Sequence, residues 1–152
     1  MPVGDSYPGC DCLCMRVLAI RLRPKQDLRQ SLLAFAIEQQ VQAGFILSAI
    51  GSLRPAAIRL ANQPSASLLE TDLELLTLSG TLSIDGLHLH LTVADATGQV
   101  IGGHLCDGSL IRTTAEIVIG IVPDVRFLRQ PDAQTGYLEL DIQPNLETSS
   151  VS

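Results

Sequence analysis

The segment Asp95-Ala96-Thr97-Gly98-Gln99 separates two short alternating runs, and it constrains the fold more than any other feature of the chain. It has the form of a three-residue β-hairpin loop, in which a type I turn precedes a left-handed residue, here Gly98. Such a loop sets Asp95 opposite Gln99 and so fixes the register of both strands. A shift by one residue mixes polar and apolar side chains on each face, whereas this register keeps one face apolar. The apolar pairs are Leu89 with Leu105, Leu91 with Gly103, and Val93 with Ile101.

The opposite face of this predicted hairpin carries the three histidines of the chain. The register sets His90 directly across from His104, and His88 across from Cys106. Cβ atoms of such pairs lie about 4.5–5.5 Å apart, so imidazole nitrogens can share an ion about 2.0–2.1 Å away. We therefore predict a metal site of His88, His90 and His104, with zinc ahead of nickel or copper. The alternative is that the three are polar surface residues without an ion.

Cys106 is a candidate fourth ligand of this site. Because it follows His104 by two residues, it is also compatible with a small buried hydrophobic residue. A three-histidine site with an open position can polarise a water molecule for hydrolysis or hydration chemistry. That chemistry also needs a general base and a pocket, neither of which the sequence shows, so no catalytic residue is assigned.

Two glutamates share their predicted strand faces with apolar residues. The residues two and four positions beyond Glu74 are leucines, and the residue two positions beyond Glu116 is a valine. A carboxylate that leans towards a core usually has a partner, and Arg59 and Arg112 are the candidates for an ion pair. Either glutamate is alternatively an acceptor for the second ring nitrogen of a metal-bound imidazole.

The rest of the chain predicts one helix among many strands. Asp27 is a favoured N-cap before apolar residues at helical spacing, and Gly44 is the expected stop, so the helix is predicted over about 27–43. Strands are predicted over 16–22, 45–50, 55–61, 73–79, 82–84, 87–95, 100–105, 111–121 and 137–142, with a loop over 62–71. Because the strands follow one another directly, the predicted class is α+β, a mostly antiparallel β-sheet flanked by one main helix.

The length of 152 residues fits one domain, which we place at residues 15–143. A regular strand pattern begins at Met15, so residues 1–14 are interpreted as a disordered extension and residues 144–152 as a disordered tail. Cys10, Cys12 and Cys14 lie in the extension, and their spacing also suits a soft metal or redox chemistry. No run approaches the roughly 20 apolar residues that span a bilayer, and no signal-peptide pattern opens the chain. The expected location is therefore the cytoplasm, with no membrane partner.

The formal net charge of −6 argues against a protein whose main task is to neutralise phosphates. Five of the ten basic residues nevertheless lie between Arg16 and Arg29. We interpret this segment as a solvated strand edge and helix start. Nucleic acid is kept as an alternative partner that the charge does not favour.

Four motifs follow one another along the chain in a distinctive order. They are Glu74-Leu-Leu-Thr-Leu-Ser-Gly80, Gly86-Leu-His-Leu-His90, Gly98-Gln-Val-Ile-Gly-Gly-His-Leu105 and Thr113-Thr-Ala-Glu-Ile-Val-Ile119. Together they resemble the plants and prokaryotes conserved (PPC) domain, from about Met15 to Ile142. The resemblance implies an antiparallel sheet flanked by helix, assembly as a homotrimer, and zinc held by the three histidines, as in bacterial and archaeal members.

Plant members of that family carry an AT-hook before the domain, with an Arg-Gly-Arg-Pro core that binds DNA. This sequence contains no such core. Asp72 also replaces an arginine of the segment through which the plant domain binds its protein partners, so that surface is not carried over.

Three functions are compatible with these observations. The first is a metal-binding trimeric binding or regulatory module, with zinc as the expected ion, whose protein or small-molecule ligand is unknown. The alternative is a DNA-binding, transcription-associated protein, as prokaryotic relatives are often labelled. The third is a zinc-dependent enzyme acting on a small molecule.

Overall fold

Ten strands and one helix make up most of residues 15–145, the part of the chain that this computed structural model describes. In chain order they are β1 (Arg16–Leu22), α1 (Leu28–Glu38), β2 (Gly44–Leu53), β3 (Ala56–Arg59), β4 (Ser67–Leu69), β5 (Leu73–Ser83), β6 (Gly86–Ala94), β7 (Val100–Leu105), β8 (Ile111–Ile121), β9 (Val125–Pro131) and β10 (Leu138–Pro144). The predicted α+β class is confirmed. Cys10, Cys12 and Cys14 lie outside the described residues, as do residues 146–152, so the predictions about both termini stay predictions.

Eight of these strands form one sheet in the order β1-β8-β2-β5-β6-β7-β3-β4, and its pairs are antiparallel. β9 and β10 form a separate two-stranded antiparallel ribbon. Alternation along the strands gives the large sheet one buried face, because successive side chains of a strand point to opposite sides. On β6, for example, Leu89, Leu91 and Val93 are fully buried, whereas His88 and His90 are exposed.

The helix buries one stripe of side chains against this core. Leu28, Leu32 and Ala36 follow one another at four-residue spacing, and all three are inaccessible to solvent. As predicted, Asp27 is the N-cap, and its carboxylate accepts a hydrogen bond of 2.9 Å from the Gln30 amide.

The C-terminal end of the helix lies earlier than predicted. Gln40 takes the left-handed conformation (φ 52°), and the amides of Gln40 and Val41 donate to the carbonyls of Ile37 and Ala36. This is a Schellman ending, which a glycine usually provides. The prediction of a helix to residue 43 with Gly44 as its stop was wrong, because Gln40 adopts this conformation and Gly44 begins β2.

The hairpin predicted around residues 95–99 is confirmed. The Asp95 amide donates to the Gln99 carbonyl (3.1 Å), the Gly98 amide donates to the Asp95 carbonyl (3.0 Å), and Gly98 has a φ of 83°. β6 and β7 pair in the predicted register, with His90 opposite His104. The loop chemistry alone therefore placed two of the three histidines beside each other.

Three strand assignments needed correction. β5 continues through Gly80 to Ser83, β4 lies inside the predicted loop over 62–71, and β9 was not predicted at all. β9 was missed because apolar and charged side chains do not alternate along residues 126–129, and all four of these residues are half-buried. β10 runs to Pro144, so the predicted tail boundary at residue 144 falls inside a strand.

Contacts with β5 and with the loop after the helix tie the β9–β10 ribbon to the sheet. The Arg129 guanidinium donates to the Thr81 hydroxyl (2.5 Å), and the Ser83 hydroxyl donates to the Phe127 carbonyl (2.7 Å). The Phe127 amide donates to the Gln42 carbonyl (2.9 Å). Because Thr81 pairs with His88, these contacts bring β9 next to the histidine face.

Within residues 15–145, no helix is long and apolar enough to cross a membrane.

Candidate metal centre

The three histidines converge on the exposed face of the large sheet. His88 and His90 are next-but-one neighbours on β6, and His104 faces His90 from β7. The Nε2 atoms of His88 and His90 are 3.1 Å apart, and the three ring centroids are 5.0–5.4 Å from one another. One nitrogen from each ring lies within 4.8 Å of the others. The predicted cluster is therefore present in the geometry of the described residues.

The surroundings of His88 and His104 favour the uncharged imidazole that a metal ion requires. Burial, followed by the charges of Arg59 and the two other histidines, lowers the pKa of His104 to about 4. Burial, followed by the charge of Arg129, also lowers the pKa of His88. A neutral imidazole offers a lone pair to an ion, so protons compete little for His88 and His104 near pH 7.

The donor set fits a zinc-like ion. An ion about 2.0–2.1 Å from two nitrogens of a tetrahedral site holds them about 3.3 Å apart. The 3.1 Å separation between the Nε2 atoms of His88 and His90 is already close to this, and a ring nitrogen of His104 lies within 4.8 Å of both rings' ligand atoms. The Nδ1 atom of His104 is moreover buried without a hydrogen-bond partner. Such an orphaned polar atom is costly unless something satisfies it.

Cys106 is not brought to the cluster. β7 ends at Leu105, and the Cys106 amide leaves the hairpin to donate to the Ala57 carbonyl (3.0 Å). Its thiol is directed to the carbonyl of His104, with 3.7 Å between sulfur and oxygen. The described group of candidate ligands consists of the three histidines without this thiol. Three protein ligands leave one position of a tetrahedral ion open.

The two glutamates proposed as partners do not lean inward. A register shift in β5 between Leu75 and Thr77 turns the strand, so Glu74 faces solvent and does not share a face with the buried Leu78. Glu116 also lies on the exposed face, opposite Arg21 of β1. Neither belongs to the group of candidate ligands around the histidines.

The two arginines proposed as ion-pair partners of these glutamates lie next to other residues. Arg112 forms its ion pair with Asp72 (2.8 Å), which also pairs with Arg54 (2.9 Å). Arg59 lies directly opposite His104 in the pairing of β3 with β7. Among residues 15–145 its side chain has neither an ion pair nor a hydrogen bond. Arg59 therefore belongs to the histidine site and not to either glutamate.

A cleft of about 550 Å³ opens beside the histidines. His88 and His104 form part of its wall, together with Arg29 from the helix and Arg59 from β3. The β9–β10 ribbon with its connecting loop forms a further part of the wall, with Arg129, Tyr137, Leu138 and Glu139. Sequence reasoning missed these ribbon residues because β9 lacks alternation, and nothing in the local pattern links residue 129 to residue 88.

Comparison with known proteins agrees with the fold and the motifs. The Plants and Prokaryotes Conserved (PCC) domain, which is the PPC family, matches residues 11–123. β9 and β10 follow the matched region.

Two cyanobacterial relatives are much longer than this chain. Proteins named bifunctional protein GlmU from two Synechococcus strains are 58% and 55% identical over 130 and 138 residues, or 86% and 91% of this chain. The chain spans about a fifth of the length of these curated relatives.

Solved structures with the same fold come from bacteria and archaea. A hypothetical protein from Salmonella enterica is 41% identical, with a TM-score of 0.86 over 90% of this chain and 99% of that one. A metal-containing protein from Archaeoglobus fulgidus is 28% identical, with a TM-score of 0.73 over 93% of this chain and 99% of that one. Two structures for which DNA binding has been suggested, from Bacteroides thetaiotaomicron and Ralstonia eutropha, are 20% and 23% identical, so their likeness shows the fold alone.

Proposed function

We propose that this chain, which belongs to the Plants and Prokaryotes Conserved domain family, is a zinc-binding, trimeric binding or regulatory module. The observation that carries this proposal is the convergence of His88, His90 and His104 on one exposed sheet face, with a nitrogen of each within 4.8 Å of the others. The metal-containing relative from Archaeoglobus fulgidus supports it. The length of the cyanobacterial relatives supports a module that also works inside larger proteins.

Zinc added to metal-stripped protein is expected to raise the thermal unfolding midpoint, because an ion that binds only the folded state stabilises it. At a hundred times the dissociation constant the stabilisation is about 2.7 kcal/mol, which corresponds to roughly 5–10 °C for a domain of this size. Magnesium, which prefers oxygen ligands, serves as the matched control and is expected to have no effect. The zinc effect is expected to shrink as the pH falls towards 4, where protons compete for the His104 imidazole, whose pKa is about 4. Equal effects of the two ions would count against the proposal.

The trimeric state is proposed from the family and is supported by apolar residues on the open sheet face. Gly51 of β2 pairs with Leu75 of β5, so the neighbouring Ile50 and Leu76 lie side by side on the opposite, exposed face. They are 57% and 44% exposed. A second copy of the chain is the occupant we propose for this face, because covering such residues is favourable by about 25 cal/mol per Å².

Ile50→Asp is accordingly expected to reduce the assembly from three chains to one, as measured by light scattering. Leu68→Asp is the matched control, since Leu68 is 53% exposed but lies on the edge strand β4. The control is expected to stay trimeric. A mass near one chain for the unaltered protein would contradict the proposal, and an unchanged mass for Ile50→Asp would contradict the choice of face.

DNA binding is the alternative, and the arrangement of the basic segment does not favour it. Arg29 is paired with Asp107 (2.9 Å) and lines the histidine cleft, whereas Arg16 and Arg21 lie on the edge strand β1. Arg29 is therefore engaged with Asp107 and the cleft, outside the edge strand that carries Arg16 and Arg21. Duplex binding at low ionic strength that weakens steeply with added salt would restore this alternative.

A zinc-dependent enzyme is the second alternative, and the cleft is the observation that favours it. An ion on His88 and His104 would border this cleft, and Glu139 on the opposite ribbon provides a carboxylate that can act as a base. We rank it below the binding module because no nucleophile and base are hydrogen-bonded to each other among the described residues of the cleft.

A further inference from the structure

The cleft beside the histidines gathers three arginines in a protein that is acidic as a whole. Three of the ten basic residues of the chain, Arg29, Arg59 and Arg129, line it. The formal net charge of the chain is −6, so this concentration does not follow from composition. Guanidinium groups gathered in a concave site are typical of sites for carboxylate or phosphate groups.

The three arginines are not equally available to a ligand. Arg29 is committed to Asp107 (2.9 Å), and Arg129 donates to the Thr81 hydroxyl (2.5 Å). Arg59 has no ion pair or hydrogen bond among residues 15–145. A guanidinium held on a strand without a partner retains all five of its donors for a ligand.

Arg59 is also the arginine whose position is tied to the metal site. It lies directly opposite His104 in the β3–β7 pairing, and Cβ atoms of such pairs are about 4.5–5.5 Å apart. Arg59 and His104 both line the cleft. A group bound by Arg59 therefore lies close to the histidine cluster.

The charge balance of the cleft indicates that it attracts an anion only when a metal ion is bound to the histidines. Asp85 and Glu139 also line the cleft and offset Arg59 and Arg129, while Asp107 neutralises Arg29. Without a metal the cleft is close to neutral. A divalent cation on the three histidines adds two positive charges and leaves one coordination position open.

We propose that this cleft binds a small molecule through a carboxylate or phosphate-type group, which is held by Arg59 and by the zinc ion on His88, His90 and His104. The body of the molecule lies against the apolar side chains of Leu87 and Leu138, which also line the cleft. This inference rests on the proposed function, because the ion supplies the charge that makes the cleft attractive to an anion.

Calorimetric titration of zinc-loaded protein with phenylphosphonate and with benzoate tests the inference, because the two probes share a ring and differ in the anionic group. At least one is expected to bind with a dissociation constant below about 1 mM, and the tighter of the two assigns the group. Arg59→Met is expected to weaken binding roughly tenfold or more, since a charge-assisted hydrogen bond is lost. Arg59→Lys is expected to recover part of the affinity, because it keeps the charge and loses the planar fork.

Arg21→Met is the matched control, because Arg21 is an exposed arginine on β1. This strand forms one edge of the sheet, whereas β3 lies next to the other edge. The affinity of this variant for the probes is expected to equal that of the unaltered protein. Removal of zinc is expected to lower the affinity of the protein for the probe. The probe is expected to raise the affinity for zinc by the same factor, because such coupling is reciprocal.

The possible failures separate this inference from the proposed function. If zinc binds normally but neither probe binds, or if Arg59→Met binds the probe as tightly as the unaltered protein, the inference is overturned and the metal site stands. Equal probe binding with and without zinc also overturns it, since the ion then has no part. If zinc itself does not bind, the proposed function falls and takes this inference with it.

Discussion

His90→Ala is expected to weaken zinc binding by roughly a hundredfold or more, because it removes one of three protein ligands, and even residues that only orient a ligand are worth about 10–100-fold. His90 is the central member of the cluster. Its Nε2 lies 3.1 Å from that of His88, and it faces His104 across the hairpin. Competition with a chelator of known affinity measures the change.

The loss is expected to be specific to the metal. His90 is exposed, so its replacement is expected to change the stability of the metal-free protein by no more than about 0.5 kcal/mol. Thr92→Ala is the matched control, because Thr92 lies two residues further along β6 on the same face and contacts the Thr77 hydroxyl. Zinc affinity that survives His90→Ala and is lost with Thr92→Ala would reverse our assignment of the ligands.

Gly80→Ala is expected to destabilise the protein by about 2–4 kcal/mol, which places it among the more damaging single substitutions. Gly80 lies within β5 at a φ of 129°, a backbone conformation that residues with a side chain rarely adopt. A Cβ atom there would lie only 2.0 Å from the carbonyl oxygen of His88. The two strands must separate at the point where β6 presents a metal ligand, so zinc affinity is expected to fall together with stability.

Gly98→Ala separates the cost of the positive φ from the cost of the close contact, which both contribute to the destabilisation by Gly80→Ala. Gly98 also has a positive φ, 83°, but a Cβ atom there would meet nothing within 4 Å. Its replacement is expected to lose only the conformational preference, about 1–2 kcal/mol, and to leave zinc affinity unchanged. Urea unfolding of the metal-free proteins measures the loss of stability in both variants. A cost for Gly80→Ala no larger than that for Gly98→Ala would show that the β5–β6 contact accommodates a side chain.

The hairpin shows what local sequence can determine about this site. Asp95, Gly98 and Gln99 fix a loop whose geometry sets the register, and the register places His90 opposite His104. No tertiary information is needed, because the pairing follows from the turn and from the two-residue period of a strand. The three-histidine cluster was predictable for this reason.

The cleft shows what local sequence cannot determine. Arg59 and Arg129 reach the site through pairing of β3 with β7 and through docking of the β9–β10 ribbon on β5. Both are long-range events that leave no periodic signal near residues 59 or 129. The prediction that Glu74 leans towards the core was wrong for a related reason. The register shift after Leu75 reverses which side chains of β5 are buried, and the alternation of the sequence does not reveal such a shift.

The metal content of protein purified without an affinity tag, measured by plasma mass spectrometry, tests the central claim most directly. The three-histidine geometry predicts about one zinc ion per chain, retained through dialysis and absent from the His90→Ala protein. Protein that contains no zinc, and takes up none when zinc is added, would contradict the account. His88, His90 and His104 would then be polar residues of an exposed sheet face.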